Sequence, residues 1–233
     1  MSFMAKDSVK LRLKPQQGKT YTITYKNIAT NKMEIQGQSL NHSIEMKMRQ
    51  TFTAKKVSNT QSVFETQTDA LRMSTTVMGM EIVYDSEHPE NNSPLFGDLG
   101  SELKQPQTVT YDASGHVIDG TDLSTGQLDA VILQFPDEEL SVGSKWTTKK
   151  KQNISGIDYI LDTEYEVVSI SKKSVDLTFN GVYRLDYTEE IAASGTYIGT
   201  CSIDPQTGIM TSNTGTMNLS MVISEEGISS PPG

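Results

Sequence analysis

Val-Asp-Leu-Thr-Phe-Asn-Gly-Val-Tyr-Arg-Leu-Asp-Tyr (175–187) decides the fold class. Val175, Leu177, Phe179, Gly181, Tyr183, Leu185 and Tyr187 alternate with Asp176, Thr178, Asn180, Arg184 and Asp186, and Val182 is the one apolar exception. A period of two over this length describes a strand with one packed face and one wet face, which favours antiparallel pairing. Asn180-Gly181 has the composition of a tight hairpin turn. A continuous long strand with a glycine bend is the preferred reading.

The same alternation recurs outward from this stretch. Tyr21, Ile23 and Tyr25 alternate with Thr22, Thr24 and Lys26. Ile44, Met46 and Met48 alternate with Ser43, Glu45 and Lys47, and Phe52 and Ala54 keep the phase. Further strands are expected near 62–74, 78–84, 107–112, 116–119, 146–153, 159–171, 194–203, 209–213 and 215–224, where threonine and β-branched residues concentrate. Helical periodicity is confined to Ser124–Gln134, with Ser124 as N-cap and Pro136 as terminator.

Two short patterns repeat. Gly18-Lys-Thr-Tyr21 and Gly143-Ser-Lys-Trp146 each place a glycine three positions before an aromatic. Tyr111-Asp-Ala-Ser-Gly-His-Val-Ile118 and Ile203-Asp-Pro-Gln-Thr-Gly-Ile-Met210 each place a turn-opening aspartate before a glycine and a departing apolar strand. The expected architecture is mainly β and antiparallel, with two related curved meanders, barrel-like or as two facing sheets. The first spans 10–122 with an inserted loop at 85–106, a helical connector occupies 123–142, and the second meander spans 143–225, all in one compact unit. In the inserted loop, Phe96 and Leu99 are expected to tuck back onto the core.

The chain has 233 residues and a formal net charge of −9, without the basic footprint of a nucleic-acid binder. Its densest basic run, Lys149–Lys151, reads as a solvated strand face. No apolar run approaches the ~20 residues that span a bilayer. The first residues lack an apolar signal-peptide core, so no signal peptide is expected in the sequence as it stands.

Candidates for chemistry are sparse. His42, His88 and His116 occupy separate contexts (a loop-to-strand junction, the inserted loop and a turn) with no metal-ligand spacing, so neither a metal nor another cofactor is expected. Cys201 reads as a small buried hydrophobe. Asp85, Ser86 and His88 supply the residue types of a serine hydrolase within four positions, whereas working triads draw on separated segments. The acidic residues Asp158, Asp162, Glu164 and Glu166 hold the polar positions of a strand and read as its outer face. Asp204-Pro-Gln-Thr-Gly lacks the dense oxygen ligands of a calcium loop.

Methionine is the unusual residue, with 11 in the chain, many at or near apolar strand positions. Core filling is the plainer reading. Lining of a cavity for a lipid or other apolar molecule is the sharper one, with Met46, Met48, Met73, Met78, Met80, Phe179 and Tyr183 as the lining.

Leu-Lys-Pro-Gln-Gln-Gly-Lys-Thr-Tyr (13–21), Tyr-Asp-Ser (84–86), Phe-Pro-Asp-Glu-Glu-Leu-Ser-Val-Gly-Ser-Lys-Trp (135–146) and Gly-Thr-Tyr-Ile-Gly-Thr (195–200) with the following Ile-Asp and Thr-Gly together resemble a family of uncharacterised exported or lipid-anchored proteins of Bacteroidetes, over about residues 10–225. The resemblance names no catalytic residue. It implies a mature domain in the periplasm or at the cell surface, and its outline is similar to that of lipoprotein-localisation carriers. The expected function is a non-catalytic envelope protein that binds an apolar, lipid-like ligand or a protein partner. The alternative is a hydrolase acting on glycans or esters.

Overall fold

The computed structural model describes residues 8–35, 38–77, 80–93, 105–120, 132–154, 157–186 and 191–223. Thirteen strands follow in chain order among them: β1 Ser8–Val9, β2 Thr20–Ile35, β3 Gln38–Val57, β4 Gln61–Val77, β5 Met80–Asp85, β6 Gln107–Asp112, β7 Val117–Asp119, β8 Leu140–Ser141, β9 Lys145–Ile154, β10 Ile157–Ile170, β11 Val175–Asp186, β12 Ile191–Ile203 and β13 Met210–Ile223. Eleven form one sheet in the order β7-β6-β4-β3-β2-β13-β12-β11-β10-β9, with β5 also paired to β4; β1 and β8 form a separate two-stranded sheet.

The large sheet holds two sequential antiparallel runs, a first meander from β2 to β7 and a second from β9 to β13, joined differently from the all-antiparallel expectation. β2 and β13 pair in parallel, from Asn213↔Tyr25 to Val222↔Glu34. The chain enters the large sheet at β2, in its middle, meanders out to β7, resumes at β9 on the other edge and meanders back. First and last strands then lie side by side and run the same way, so the sheet is mixed. Nor is it a closed barrel: β7 and β9 are its two ends.

Hydrogen bonds at one end of the strands prove that the sheet curls. β6 and β12 are five strand steps apart, about 24 Å in a flat sheet at ~4.8 Å per step. Yet the neighbouring amides of Leu13 and Lys14 donate to Ala113 O, just after β6, and to Thr207 O, just after β12, at 2.9 and 2.8 Å. Consecutive residues are only ~3.8 Å apart, so the two hairpin ends must meet. Likewise Phe135 N–H donates to Ser114 O at 2.8 Å, while Gln134 O accepts from the Trp146 indole of β9 at 3.0 Å. This end, the base of a cup, is closed by segments 8–15 and 132–141, which pair as β1–β8 through Ser8↔Ser141 and Val9↔Leu140. The Arg12 guanidinium fastens them, donating to Pro136 O and pairing with Asp137.

The short helix among the described residues is a 3-10 turn, Pro89–Asn91. Most of the expected connector helix 124–134 lies outside the described residues; Ile132 and Leu133, both 1% exposed, belong to the base plug as non-helical backbone. Phe96 and Leu99 also lie outside them. The strand over 175–186 is continuous through Asn180-Gly181, because Gly181 sits in full register between Thr163 and Tyr197. The expected pair 209–213 and 215–224 is one strand. Gly215 does not break it: a Cβ there would stand 2.4 Å from the Tyr197 ring, so the glycine makes room for that ring. His42 lies within β3 rather than at a loop junction.

Both meanders are punctuated alike. Gly18 and Gly143 precede their first long strands with φ of 80° and 84°, and Gly115 and Gly208 close the repeated hairpins with φ of 87° and 69°, a region glycine occupies without strain. In each hairpin the aspartate builds the turn. Asp112 Oδ1 accepts from Ser114 and His116 N–H, and Asp204 accepts from Gln206 N–H and the Thr207 hydroxyl.

Candidate functional site

The inner face of the cup changes character along its height. Near the base, Ile23, Phe64, Ala54, Val175 and Ile203 are fully buried. Leu11, Leu13, Phe135 and Leu140 of the plug segments complete that core. Toward the other end, inward positions of β3 and β4 lose cover, while Leu161, Tyr183 and Met217 of the second meander stay buried. Along β3, Phe52 and Met48 are buried, whereas Met46 and Ile44 are only half-buried. Along β4, Leu71 is buried and Met73 is half-buried.

One register row crosses nine strands at the transition: Trp146, Tyr165, Phe179, Gly199, Gly215, Asn27, Met46, Met73 and Tyr84. Its second-meander half is aromatic. Trp146 stacks on Tyr165 at 5.2 Å between centroids, and Phe179 lies 6.2 Å from Tyr165 and 4.7 Å from Tyr197. Gly199 permits this, since a Cβ there would come within 2.5 Å of the Phe179 ring. The first-meander half carries Met46 and Met73 between Asn27 and Tyr84. The rigid rings form a floor, and the unbranched thioethers form an adaptable wall.

The expected lining residues thus divide. Met48 and Phe179 belong to the core, and Met46 and Met73 pack on its margin. Tyr183 is buried at 6% exposure but stands outside the core cluster. Met78 lies outside the described residues, and Met80 begins β5 opposite Val77. Met217, 8% exposed and opposite Tyr197, belongs with them. Its alternation with Thr216 and Asn218 is the signal that places it there.

Asp85, Ser86 and His88 do come together, as a clasp on strand β5. The Ser86 hydroxyl accepts the Leu71 amide at 2.8 Å. Asp85 is 7% exposed; its carboxylate accepts from Arg72 at 2.9 Å and from the Glu87 amide at 3.0 Å, with His88 Nδ1 at 3.4 Å. Burial alone raises the pKa of Asp85, but the Glu87 N–H, Arg72 and His88 outweigh it and hold the carboxyl below its ordinary value. The Asn92 side chain accepts the Asp85 amide, tying the 3-10 turn to the strand end. These contacts fix where β5 ends.

The remaining candidates take structural places. Cys201, the chain's single cysteine, is buried on β12, opposite Leu177 and Asn213. On the outer face, Glu164 and Glu166 pair with Lys145, and Asp162 with Arg184 and Lys149. Lys149 and Lys151 are exposed, but Lys150 is half-buried on the opposite face, so the basic run is not wholly a solvated face. His88 and His116 are exposed. Among the described residues no group of three metal-ligating side chains converges, and no helix is long and apolar enough to cross a membrane.

A search of curated proteins finds no match to the chain. Residues 119–210 are similar to a family of unknown function, DUF6263. The matched stretch runs from the last residue of β7 through the connector and the second meander to the first residue of β13, a narrower span than the 10–225 of the sequence resemblance.

Proposed function

We propose that this protein is a non-catalytic envelope protein that holds an apolar, lipid-like molecule in the open half of its cup. The observation that carries the reading is the contrast along the inner face. The base has its own covering segments, while the same apolar face continues past them through half-buried Ile44, Met46 and Met73. Apolar surface that continues beyond its cover gains free energy from an apolar occupant, at roughly 25 cal/mol per Å² removed from water. Methionine suits a site that adapts to its occupant. A protein partner of the envelope is the other candidate occupant.

A periplasmic or cell-surface location, a lipid anchor and a role akin to that of lipoprotein-localisation carriers rest on the sequence resemblance and form part of the same proposal. The hydrolase alternative relies on the acidic clusters, of which Asp162, Glu164 and Glu166 are ion-paired, and on Asp85, Ser86 and His88, whose polar groups are engaged in holding β5.

Native mass spectrometry before and after organic extraction tests the reading. The expected result is one lipid-sized adduct per chain, lost on extraction and regained from lipid vesicles. A bare mass that takes up nothing from vesicles of any composition contradicts it.

A further inference from the structure

Resting on that reading, the two buried polar atoms on the inner face of β3 and β4 narrow the ligand's chemistry. Gln50 is 6% exposed and stands on the inward phase between Met48 and Phe52. Its amide donates through Nε2 to the Thr68 hydroxyl at 3.1 Å, while Oε1 is buried without a hydrogen-bond partner. Turning the amide over exchanges the two ends but still leaves one of them open. Thr75, flanked by Ile44 and Ile82 in register, likewise buries its Oγ1 without a partner. Leaving a buried polar group unpaired is costly, and native proteins keep few of them.

The two atoms mark the ends of one strip. From Gln50 to Ile44, the partner of Thr75, is six residues along β3, about 20 Å at ~3.3 Å per residue. Between them the face is Met48, Leu71, Met46 and Met73, with no polar side chain on the inward phase of either strand. The spacing is that of a long acyl chain. Of the two ends, Gln50 lies nearer the plugged base and Thr75 nearer the mouth.

We propose that the strip selects a long-chain amphiphile polar at both ends, such as an ω-hydroxy fatty acid. Its terminal hydroxyl reaches Gln50, its chain lies along the methionines, and its headgroup end meets Thr75. A hydroxyl both donates and accepts, so it satisfies whichever end of the Gln50 amide is open. The flexible Met48 side chain moves aside to admit it.

Titration of the full chain with ω-hydroxypalmitate and with palmitate tests this. The expected result is about tenfold tighter binding of the hydroxylated chain, the gain of one buried hydrogen bond that satisfies an otherwise unpaired group. Gln50→Met, close in volume and apolar, abolishes the preference and leaves the melting temperature equal or higher. Thr75→Val weakens both ligands alike. Equal affinities in the unaltered protein overturn the proposal while the apolar-site reading stands. Binding of neither chain overturns both. The ratio in the unaltered protein decides even where a variant fails to fold.

Discussion

The base and the mouth of the cup are built from the same strands, yet they solve burial differently. At the base, Leu11, Leu13, Phe135 and Leu140 arrive from outside the large sheet and seal its inner face. Arg12 and the Leu13 and Lys14 amides knit those segments to both meanders. Toward the mouth the strands run on with the same inward phase, but the described segments that cover them stop. Among the described residues, the inner face of β3 and β4 is thus fully buried at one end and half-buried at the other. Stability should reside at the base and adaptability at the mouth.

The largest effect expected from this contrast comes from Phe179→Asp. It puts a carboxylate among Tyr165, Tyr197 and Gly199, none of which carries a positive charge to pair with it, and a buried unpaired charge is among the costliest of substitutions. The domain should fail to fold, seen as loss of the cooperative β-sheet transition by circular dichroism. A soluble, cooperatively folded variant would break the assignment of the inward phase.

A pair of truncations sharpens the comparison. Phe64, fully buried near the base and edge-on to Tyr111, should lose about 3–5 kcal/mol on replacement by alanine. Met46, half-buried, should lose less than about 2 kcal/mol, since water already reaches part of it. Urea unfolding of the two variants measures the difference. Equal losses would mean that base and mouth form one uniform core.

Much of the architecture is legible in the sequence because period two reports directly on which face is buried. The alternation at Val175–Tyr183 and at Ile44–Ala54 places the inward phase, and Phe179, Met48 and Met46 lie where that phase puts them. Turn chemistry is equally local, so Gly115 and Gly208 are readable as positive-φ positions. Pairing is not local. Nothing in Tyr25 or Asn213 announces that β2 and β13 lie side by side in parallel. The plugs are hidden for a related reason. Leu11, Leu13 and Leu140 sit in segments with little strand of their own, and only the curled sheet gives them a face to cover. Gln50 reads as an ordinary polar residue until its neighbours bury it.

A smaller effect is a dependence on pH that the two regions share. Asp85 has a folded pKa below its unfolded value, so its contribution is present above that unfolded value, near 4, and is lost as pH falls through the lower folded one. Asp176, near the base, behaves in the same sense because the hydroxyls of Ser169, Ser174 and Ser202 donate to it. Acidification below about pH 4 should lower the melting temperature. Asp85→Asn should shrink that dependence and free the amides of β5, whose strand partner is β4, to exchange faster. Unchanged exchange in β5 would show that the clasp does not hold the strand.

Methyl-labelled methionine NMR tests the central contrast most directly. Met46 and Met73 are partly buried and pack on the margin of the core, and Met210, 1% exposed, lies in the base. On addition of a long-chain lipid, the Met46 and Met73 methyl signals should shift while Met210 stays in place. Unmoved signals throughout, or a Met210 that moves as far as Met46, would contradict a cup that is finished at its base and open to a ligand at its mouth.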